Sequence, residues 1–203
     1  MPRTAKLAID LKEACIRAAH EVIAEHGLEA LSLREVARKL GVSHQAPYRH
    51  YPSRDHLLAE VMRRCFESFA QSLDDRERFD DPSADLHSLG VAYLRFAAMH
   101  PLEYRLMFST TWSEKAEHPA LVRDATHAFN ILRGVLGRIH GKEESKTKLI
   151  DLDAMFIWST MHGLASLMPS SAMKFLDVPE TLNFEATPHV MDMIKAAMHN
   201  RDS

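Results

Sequence analysis

Side chains able to form hydrogen bonds are concentrated in one short stretch near the start of the sequence. Residues 44–50 read His-Gln-Ala-Pro-Tyr-Arg-His, and five of these seven side chains carry hydrogen-bond donors or acceptors. Glutamine can bond adenine, and arginine guanine, through two hydrogen bonds each. The stretch could therefore read the edges of bases in DNA, although an ordinary solvated helix face has a similar composition.

Catalytic chemistry has less support in the sequence. The chain has 13 histidines, but it contains no HExxH motif, no paired cysteine ligands, no glycine-rich phosphate loop and no G-x-S-x-G elbow. Cys15 falls on the apolar stripe of a predicted helix, where a thiol is usually inert core. We therefore expect no enzymatic activity, no bound metal and no cofactor.

Two short helices are predicted to position the polar stretch. Ser32 and Glu35 form a capping box that starts the first of them, and Gly41 ends it. Ser43 is then expected to cap the second helix, which contains the polar stretch. Pro47 would then be the fourth helical residue, just past the turn where a missing amide costs nothing, and a cap shifted toward His44 would suit it better. A short helix, a tight turn and a polar second helix make up a helix-turn-helix over residues 32–51, whose second helix fits the major groove of DNA.

The rest of the chain also has the periodicity of helices, and no segment reads convincingly as a strand. Ser83 is expected to cap one of these helices, and Thr187-Pro188 to start the last. The sequence predicts an all-α protein with about nine helices, over residues 7–26, 33–40, 44–50, 54–73, 83–99, 101–108, 119–140, 145–168 and 187–198. We expect a three-helix N-terminal domain over residues 7–64, joined by a long helix to a second helical domain over residues 65–203.

Charge is unevenly distributed along the chain, whose formal net charge is −3. Residues 1–64 hold 11 Lys and Arg against 8 Asp and Glu, which gives +3. Residues 65–203 hold 14 against 20, which gives −6. The overall acidity therefore hides a basic N-terminal segment, where the helix-turn-helix lies, and this segment could meet phosphate.

Composition also bears on the compartment. Two cysteines cannot form a disulfide framework, which favours a reducing environment. No apolar run approaches the roughly 20 residues of a membrane-spanning helix, and the first residues lack the apolar block of a secretory signal. We expect a cytoplasmic protein with no membrane partner.

Several stretches together resemble one known family. They are Glu-His-Gly at 25–27, Leu-Ser-Leu-Arg-Glu-Val-Ala at 31–37, Leu-Gly-Val-Ser at 40–43, and Tyr-Arg-His-Tyr-Pro-Ser-Arg at 48–54 followed by Leu57-Leu58. Residues 10–73 thus resemble the DNA-binding domain of the tetracycline-repressor (TetR) family of transcriptional regulators. The later part resembles the Trp-His-Gly (WHG) subgroup of that family, through Trp158, His162 and Gly163 and through the stretches at 93–97 and 104–108.

The resemblance implies a homodimer that places two recognition helices in successive major grooves of a near-palindromic, double-stranded operator. Base reading would fall to His44, Gln45 and Arg49, while Arg34 matches a further position that touches DNA. Phosphate contacts would come from Ser43, Tyr48, His50 and Arg54. The predicted interface also includes Ala46. Where the family often has a small or hydroxyl residue followed by leucine, this chain has Ala46 followed by Pro47.

The resemblance also implies that residues 65–203 bind a small, largely apolar effector and form the dimer, with effector binding releasing the operator as in a repressor. The candidate effector-pocket residues are Phe96, Tyr104, Met107, Phe108, Trp112, Phe129, Met155, Trp158 and His162. The candidate dimer residues on the last two helices are Met161, Leu164, Met191, Ile194 and Met198. Apolar stripes of this kind are more often plain core.

A helical scaffold or interaction protein that does not bind DNA is the alternative interpretation of the sequence. A helix, a short turn with glycine and a second helix occur in many helical proteins. Three features favour DNA binding over the scaffold: the position near the N-terminus, the polar second helix and the basic N-terminal segment.

Overall fold

The computed structural model describes residues 3–111, 118–141, 144–170, 173, 175, 179 and 181–199. These residues form eight α-helices and contain no strand, so the all-α prediction is confirmed. The helices are α1 (Arg3–His26), α2 (Leu33–Leu40), α3 (Arg54–Asp74), α4 (Pro82–Met99), α5 (Pro101–Ser109), α6 (Pro119–His140), α7 (Thr147–Leu167) and α8 (Leu182–His199). Short 3₁₀ turns occupy Leu28–Ala30, Pro47–Arg49 and Glu144–Lys146.

Most helix ends lie where the sequence places them, whereas α1, α4 and α8 begin earlier than predicted, α1 at Arg3 instead of residue 7. The side chain of Asp81, rather than that of Ser83, caps α4 by accepting from the amides of Ser83 and Ala84. Asp81 is followed by Pro82 at the first helical position, which suits proline because no amide is needed there. Helix α8 begins at Leu182 and contains Pro188, so the prediction of a start at Thr187-Pro188 is wrong.

The described residues divide into two compact units. The N-terminal unit consists of Met1–Glu67 and Leu102–Ala125, and the C-terminal unit of Ser68–Pro101 and Thr126–Ser203. The N-terminal unit therefore contains most of α5 and the start of α6, in addition to the helix-turn-helix. Periodicity along the sequence does not reveal this grouping, because it says nothing about which helices pack together.

The N-terminal unit has an apolar core, formed where α1 packs against α2 and against the 3₁₀ turn Leu28–Ala30. Its buried side chains include Val22, Ile23, Leu31, Val36, Leu57, Val61 and Met62. Both cysteines also lie in this core, and burial raises the pKa of the Cys65 thiol to about 12. A thiol with so high a pKa is a poor nucleophile. Burial also raises the pKa of the Cys15 thiol, which agrees with the expected role of Cys15 as inert core.

In the C-terminal unit, α4 packs against α7 and α8, which also contact each other. The approach is close at Gly90, because a Cβ atom there would lie 2.6 Å from the methyl carbon of Met191. A buried pair, His140 with Asp153, joins the end of α6 to α7 through a 2.9 Å hydrogen bond. Gly90 thus lets α4 and α8 approach closely, and the buried pair links α6 to α7.

A buried carboxylate organises the loop between α3 and α4. Asp85, only 1% exposed, lies 3.0 Å from Nη2 of Arg76 and 2.6 Å from Nη1 of Arg138. The Arg76 side chain is itself 4% exposed and donates to the carbonyl of Leu73 at 2.8 Å. Arg138 donates to the carbonyls of two loop residues at 2.7 Å. The three charged groups thus fasten the loop to α4 and α6.

No helix in the described part of the chain is long and apolar enough to cross a membrane. Within the same residues, no group of three or more His, Cys, Asp or Glu side chains could hold a metal ion.

Candidate nucleic-acid interface

The predicted second helix of the helix-turn-helix is a run of tight turns rather than an α-helix. The amide of Ala46 donates to the carbonyl of Ser43 at 2.9 Å, and the amide of His50 to that of Pro47 at 3.0 Å. Each bond spans three residues, as in a 3₁₀-helix. Pro47 has no amide hydrogen, so the four-residue bond to Ser43 that an α-helix needs cannot form. The prediction of a helix capped by Ser43 is wrong for this reason, and Ala46 precedes the 3₁₀ turn without a side-chain cap.

Two buried residues, one near the middle of the recognition segment (residues 43–50) and one just after it, hold it on the N-terminal unit. Pro47 is buried, and Tyr51 is 3% exposed with its hydroxyl donating to the carbonyl of Lys12 at 3.2 Å. The segment also contacts α1 and α2. These anchors depend on contacts with other helices, which the sequence of so short a segment does not reveal.

Four predicted DNA contacts lie together. Arg34 at the start of α2 and His44, Gln45 and Tyr48 of the recognition segment line one hollow of about 500 Å³. All four side chains are exposed, and Tyr48 is 45% exposed despite its aromatic ring. Ser32 starts α2 here as predicted, because its hydroxyl accepts from the amide of Glu35 at 3.1 Å. A convergent set of exposed donors and acceptors suits a hydrogen-bonding partner.

Most of the basic side chains in residues 30–64 form ion pairs within the chain. Glu35 binds Arg38, and Glu25 and Glu21 bind Lys39 at 2.9 and 3.2 Å. The hydrogen bond from Lys39 lowers the pKa of Glu25, and the bond from Arg38 lowers that of Glu35. Two arginines of α3 are also engaged, Arg63 with Glu60, Glu67 and Asp124, and Arg64 with Glu13 and Glu67.

Arg34 and Arg49 are different from these neighbours. Of the seven Lys and Arg side chains in residues 30–64, they are the two for which the described part of the chain provides no carboxylate within salt-bridge distance. Both are exposed. Within residues 30–64, the cations left available are therefore Arg34 on α2 and Arg49 of the recognition segment.

The remaining predicted contacts fall into two groups. Ser43 is exposed, whereas Ala46 and His50 are half-buried within the recognition segment. Arg54 donates to the carbonyls of Leu31 at 3.0 Å and Leu28 at 2.9 Å. These bonds tie the start of α3 to the turn after α1. They occupy two nitrogen atoms of the guanidinium, so fewer N–H donors remain for the phosphate contact predicted from the sequence.

The predicted effector-pocket residues do not gather in one unit. Tyr104, Met107 and Phe108 belong to the N-terminal unit, whereas Phe96, Phe129, Met155, Trp158 and His162 belong to the C-terminal unit, and Trp112 lies outside the described residues. Within the C-terminal unit, the ring centroids of Phe129 and Trp158 are 5.6 Å apart. The Nδ1 atom of His162 lies 3.5 Å from the Tyr93 hydroxyl, and burial lowers the pKa of this histidine. Met155 is 51% exposed and lines no interior.

A groove of about 1160 Å³ lies instead along another part of the C-terminal unit. It is lined by the end of α3, the loop to α4, α4 itself, the end of α6 and α8. Buried Leu86, Ile194 and Met198 form apolar lining, and Arg76, Arg95 and Asp192 are among the polar lining residues. None of these polar groups is among the site residues predicted from the sequence.

The predicted dimer residues are mostly core of the same chain. Met161, Met191, Ile194 and Met198 are each at most 5% exposed, so a partner could not reach them, and Leu164 is half-buried. Periodicity does not tell an inward face from an apolar outward one, so the faces of α7 and α8 that would form the dimer contact stay a prediction. The exposed apolar side chains on these helices are Leu152, Met155, Phe156, Leu167, Leu182 and Met193.

Family comparisons match both parts of the chain. Residues 16–61 match the family described as "Bacterial regulatory proteins, tetR family", and residues 86–187 match "Tetracyclin repressor-like, C-terminal domain". The second match does not confirm the Trp-His-Gly subgroup, so that finer resemblance is not supported.

Individual proteins agree with the family match. The HTH-type transcriptional regulator Rv1816 of Mycobacterium tuberculosis is 32% identical over 42% of this chain, and the HTH-type transcriptional activator FasR of Mycolicibacterium smegmatis is 26% identical over 66% of it. The chain spans 38% and 62% of the lengths of these two relatives. A tetR-family regulatory protein from Rhodococcus RHA1 has the same fold, with a TM-score of 0.64 at 20% identity over 90% of this chain and 96% of its own. With matches over both its helix-turn-helix and its C-terminal part, the chain belongs to the tetR family of bacterial regulatory proteins.

Proposed function

We propose that the protein is a transcriptional regulator that binds operator DNA through its recognition segment. The observation that carries this proposal is the convergence of Arg34, His44, Gln45 and Tyr48 on one exposed hollow, beside an equally exposed Arg49. Nearby cations pair with carboxylates, whereas the described part of the chain gives Arg34 and Arg49 no such partner. The helix-turn-helix of a family of regulators is the expected place for such a surface.

A homodimer forms the second part of the proposal. Leu152, Phe156 and Leu167 lie on one face of α7, with Ser159 and Gly163 between them at helical spacing. The hydroxyl of Ser159 donates to the carbonyl of Phe156 at 3.0 Å, so its burial against a partner would leave no unpaired donor. We place the dimer contact on this outward face of α7 and on Met193 of α8, in place of the buried residues named from the sequence.

The third part of the proposal is that the C-terminal unit binds a small effector. The groove of about 1160 Å³ in the C-terminal unit is large enough for a small molecule. Its lining mixes apolar and charged side chains, so an effector bound there would carry polar groups as well as apolar surface. We propose that the effector favours the state with lower operator affinity, which makes the protein a repressor, although its relative FasR is named an activator. Ligands that bind the C-terminal unit and leave operator affinity unchanged would refute this part.

The test of DNA binding uses the full-length protein and a pool of random duplexes. Duplexes that remain bound after repeated capture are sequenced, and their retention is measured between low and high salt. We expect an enriched, near-palindromic sequence, and a linear fall in log affinity with log salt concentration as displaced counterions return. A helical scaffold would enrich no sequence and show no salt-dependent retention.

Dimerisation is tested by Phe156→Glu. Phe156 is 43% exposed in one chain, so the substitution should leave the folded protomer intact, but it would bury an unpaired carboxylate in the proposed interface. We expect a shift from dimer to monomer in sedimentation velocity. Met99→Glu is the matched control, since Met99 is 70% exposed on α4, a helix that the proposed interface does not include. A Phe156→Glu protein that stays dimeric would move the interface elsewhere.

A further inference from the structure

Two arginines that line the groove of the C-terminal unit share a single carboxylate. Arg76 and Arg138 each bind a different oxygen of Asp85, at 3.0 and 2.6 Å. No other carboxylate in the described part of the chain lies within salt-bridge distance of either guanidinium. Two positive charges thus face one negative charge, and this part of the groove keeps one positive charge in excess.

Burial and hydrogen bonding indicate that this cluster is incomplete. The Arg76 side chain is 4% exposed, so its charge is poorly screened by water and salt. Its Nε atom is buried and has no hydrogen-bond partner among the described residues. Buried donors in proteins are normally paired, so an acceptor bound against Arg76 would satisfy an unmet requirement.

Arg138 is the accessible member of the cluster, because its side chain is 36% exposed. A guanidinium has five N–H donors, and Arg138 makes three hydrogen bonds, with Asp85 and with two loop carbonyls. Donors therefore remain for a ligand, while the bonds already made hold the side chain in one position. A guanidinium fixed in this way is suited to bind a carboxylate.

Carboxylates elsewhere in the lining do not neutralise the two arginines. Asp81 accepts from amides at the start of α4, and Asp75 accepts from Gln71 at 2.7 Å. All of them belong to exposed residues, where water screens their charge. The exposed charged residues of the lining besides Arg138 are mixed in sign, namely Asp75, Glu77, Asp81, Asp192, Arg95 and Lys195.

Apolar side chains line the same groove next to the charged cluster. Leu86 follows Asp85 on α4, Ile139 follows Arg138 on α6, and both are lining residues. Leu86 is 6% exposed, and Ile194 and Met198 of α8 are at most 5% exposed. A ligand that meets both parts of the lining must join a negative group to an apolar body.

We infer that the groove takes an amphipathic carboxylate as its ligand, with the carboxylate against Arg138 and Arg76 and the apolar body along Leu86, Ile139 and α8. The excess of one positive charge matches a carboxylate, whereas a phosphate group carries close to two negative charges at neutral pH. The inference rests on the proposed effector groove, and it adds the chemical class of the effector.

Three probes with one apolar body and different head groups test the inference: phenylbutyrate, phenylbutanol and phenylbutylamine. Isothermal titration calorimetry with the full-length protein, at fixed salt concentration, measures the Kd of each. We expect phenylbutyrate to bind at least about tenfold more tightly than phenylbutanol, the effect of one charge-assisted hydrogen bond, and phenylbutylamine to bind most weakly. Equal affinity for the acid and the alcohol, or no binding of the acid at millimolar concentration, would overturn the inference.

Arg138→Gln removes the excess charge and leaves Asp85 paired with Arg76. This variant should bind phenylbutyrate no more tightly than phenylbutanol. Arg133→Gln is the matched control, because Arg133 lies on the same helix, is also 36% exposed and pairs with Asp151, but does not line the groove. It should keep the wild-type preference. An Arg138→Gln protein that also keeps this preference would contradict the inference.

A second measurement on the wild type serves if Arg138→Gln does not fold. Phenylglyoxal modifies accessible guanidinium groups, and mass spectrometry of peptides locates the modified arginines. Saturating phenylbutyrate should slow the modification of Arg138 and leave that of Arg133 unchanged. Unaltered modification of Arg138 would place the carboxylate elsewhere and overturn the inference.

The operator affinity of the loaded protein separates this inference from the proposed function. If a neutral ligand of the groove lowers operator affinity and phenylbutyrate does not bind, the inference fails and the proposed regulation stands. If phenylbutyrate binds with the expected preference and operator affinity is unchanged, the inference stands and the proposed regulation fails.

Discussion

Replacing Asp85 by alanine is expected to lower the free energy of unfolding by about 3–5 kcal/mol, the usual effect of removing one partner from a buried ion pair. The carboxylate is 1% exposed and binds Arg76 and Arg138 at once. Without it, two guanidinium groups remain close together with no counter-charge, and one of them is almost fully buried. A loss of this size is a large part of the total stability of a typical domain. Denaturant unfolding followed by circular dichroism, at fixed protein concentration, measures it.

Asp151→Ala is the matched control within the same unit. Asp151 binds Arg133 at 2.7 Å, but the two side chains are 48% and 36% exposed, so water screens the pair. We expect the control to lose less than about 1 kcal/mol. If Asp85→Ala is no more destabilising than Asp151→Ala, the buried triad does not stabilise the loop in the way described here.

Removing Arg34 and Arg49 together is expected to lower affinity for the enriched duplex by at least about 30-fold. Each lost arginine contact to DNA costs about 1–3 kcal/mol, and losses at independent contacts multiply. Both side chains are exposed and lack a carboxylate partner in the described residues, so their loss should leave the fold intact. Fluorescence anisotropy with a labelled duplex, at fixed salt concentration, measures the affinity.

Arg105→Ala is the control for lost charge, because Arg105 is an exposed arginine on α5 of the same unit. It should bind nearly as well as the wild type. The single variant Arg49→Ala further tests the sequence-based assignment of Arg49 as a base contact. That assignment requires a greater loss on the enriched duplex than on an unrelated one, whereas equal losses would make Arg49 a phosphate contact.

Local signals in the sequence were sufficient for most of the fold. The capping box at Ser32 is confirmed by the bond to the Glu35 amide, and Gly41 takes the left-handed conformation, with φ 65°, that ends α2. Glycine reaches this conformation without a steric penalty, so its position in the sequence is informative. In a full capping box the Glu35 carboxylate would also accept from the Ser32 amide. Here it accepts from Arg38 instead.

Long-range partners account for what the sequence could not provide. The carboxylates that neutralise Lys39 lie 14 and 18 positions earlier, on α1, and Arg54 finds its carbonyls more than 20 positions away. Met191 and Ile194 have the apolar spacing of an interface, but they face their own chain. The candidate site could be located from composition and resemblance, whereas its available charge and its turn geometry depend on tertiary contacts and on one proline.

The pairing of five of the seven cations in residues 30–64 also has a kinetic consequence. Few of the cations in residues 30–64 are then free to meet a phosphate backbone, so the lifetime of a complex with unrelated DNA should be short. A protein that leaves random sites quickly spends less of its search trapped between targets, and a smaller share of its molecules is sequestered along the chromosome. The carboxylates of α1 and α2 would then shorten the time needed to find an operator, although they touch no DNA themselves.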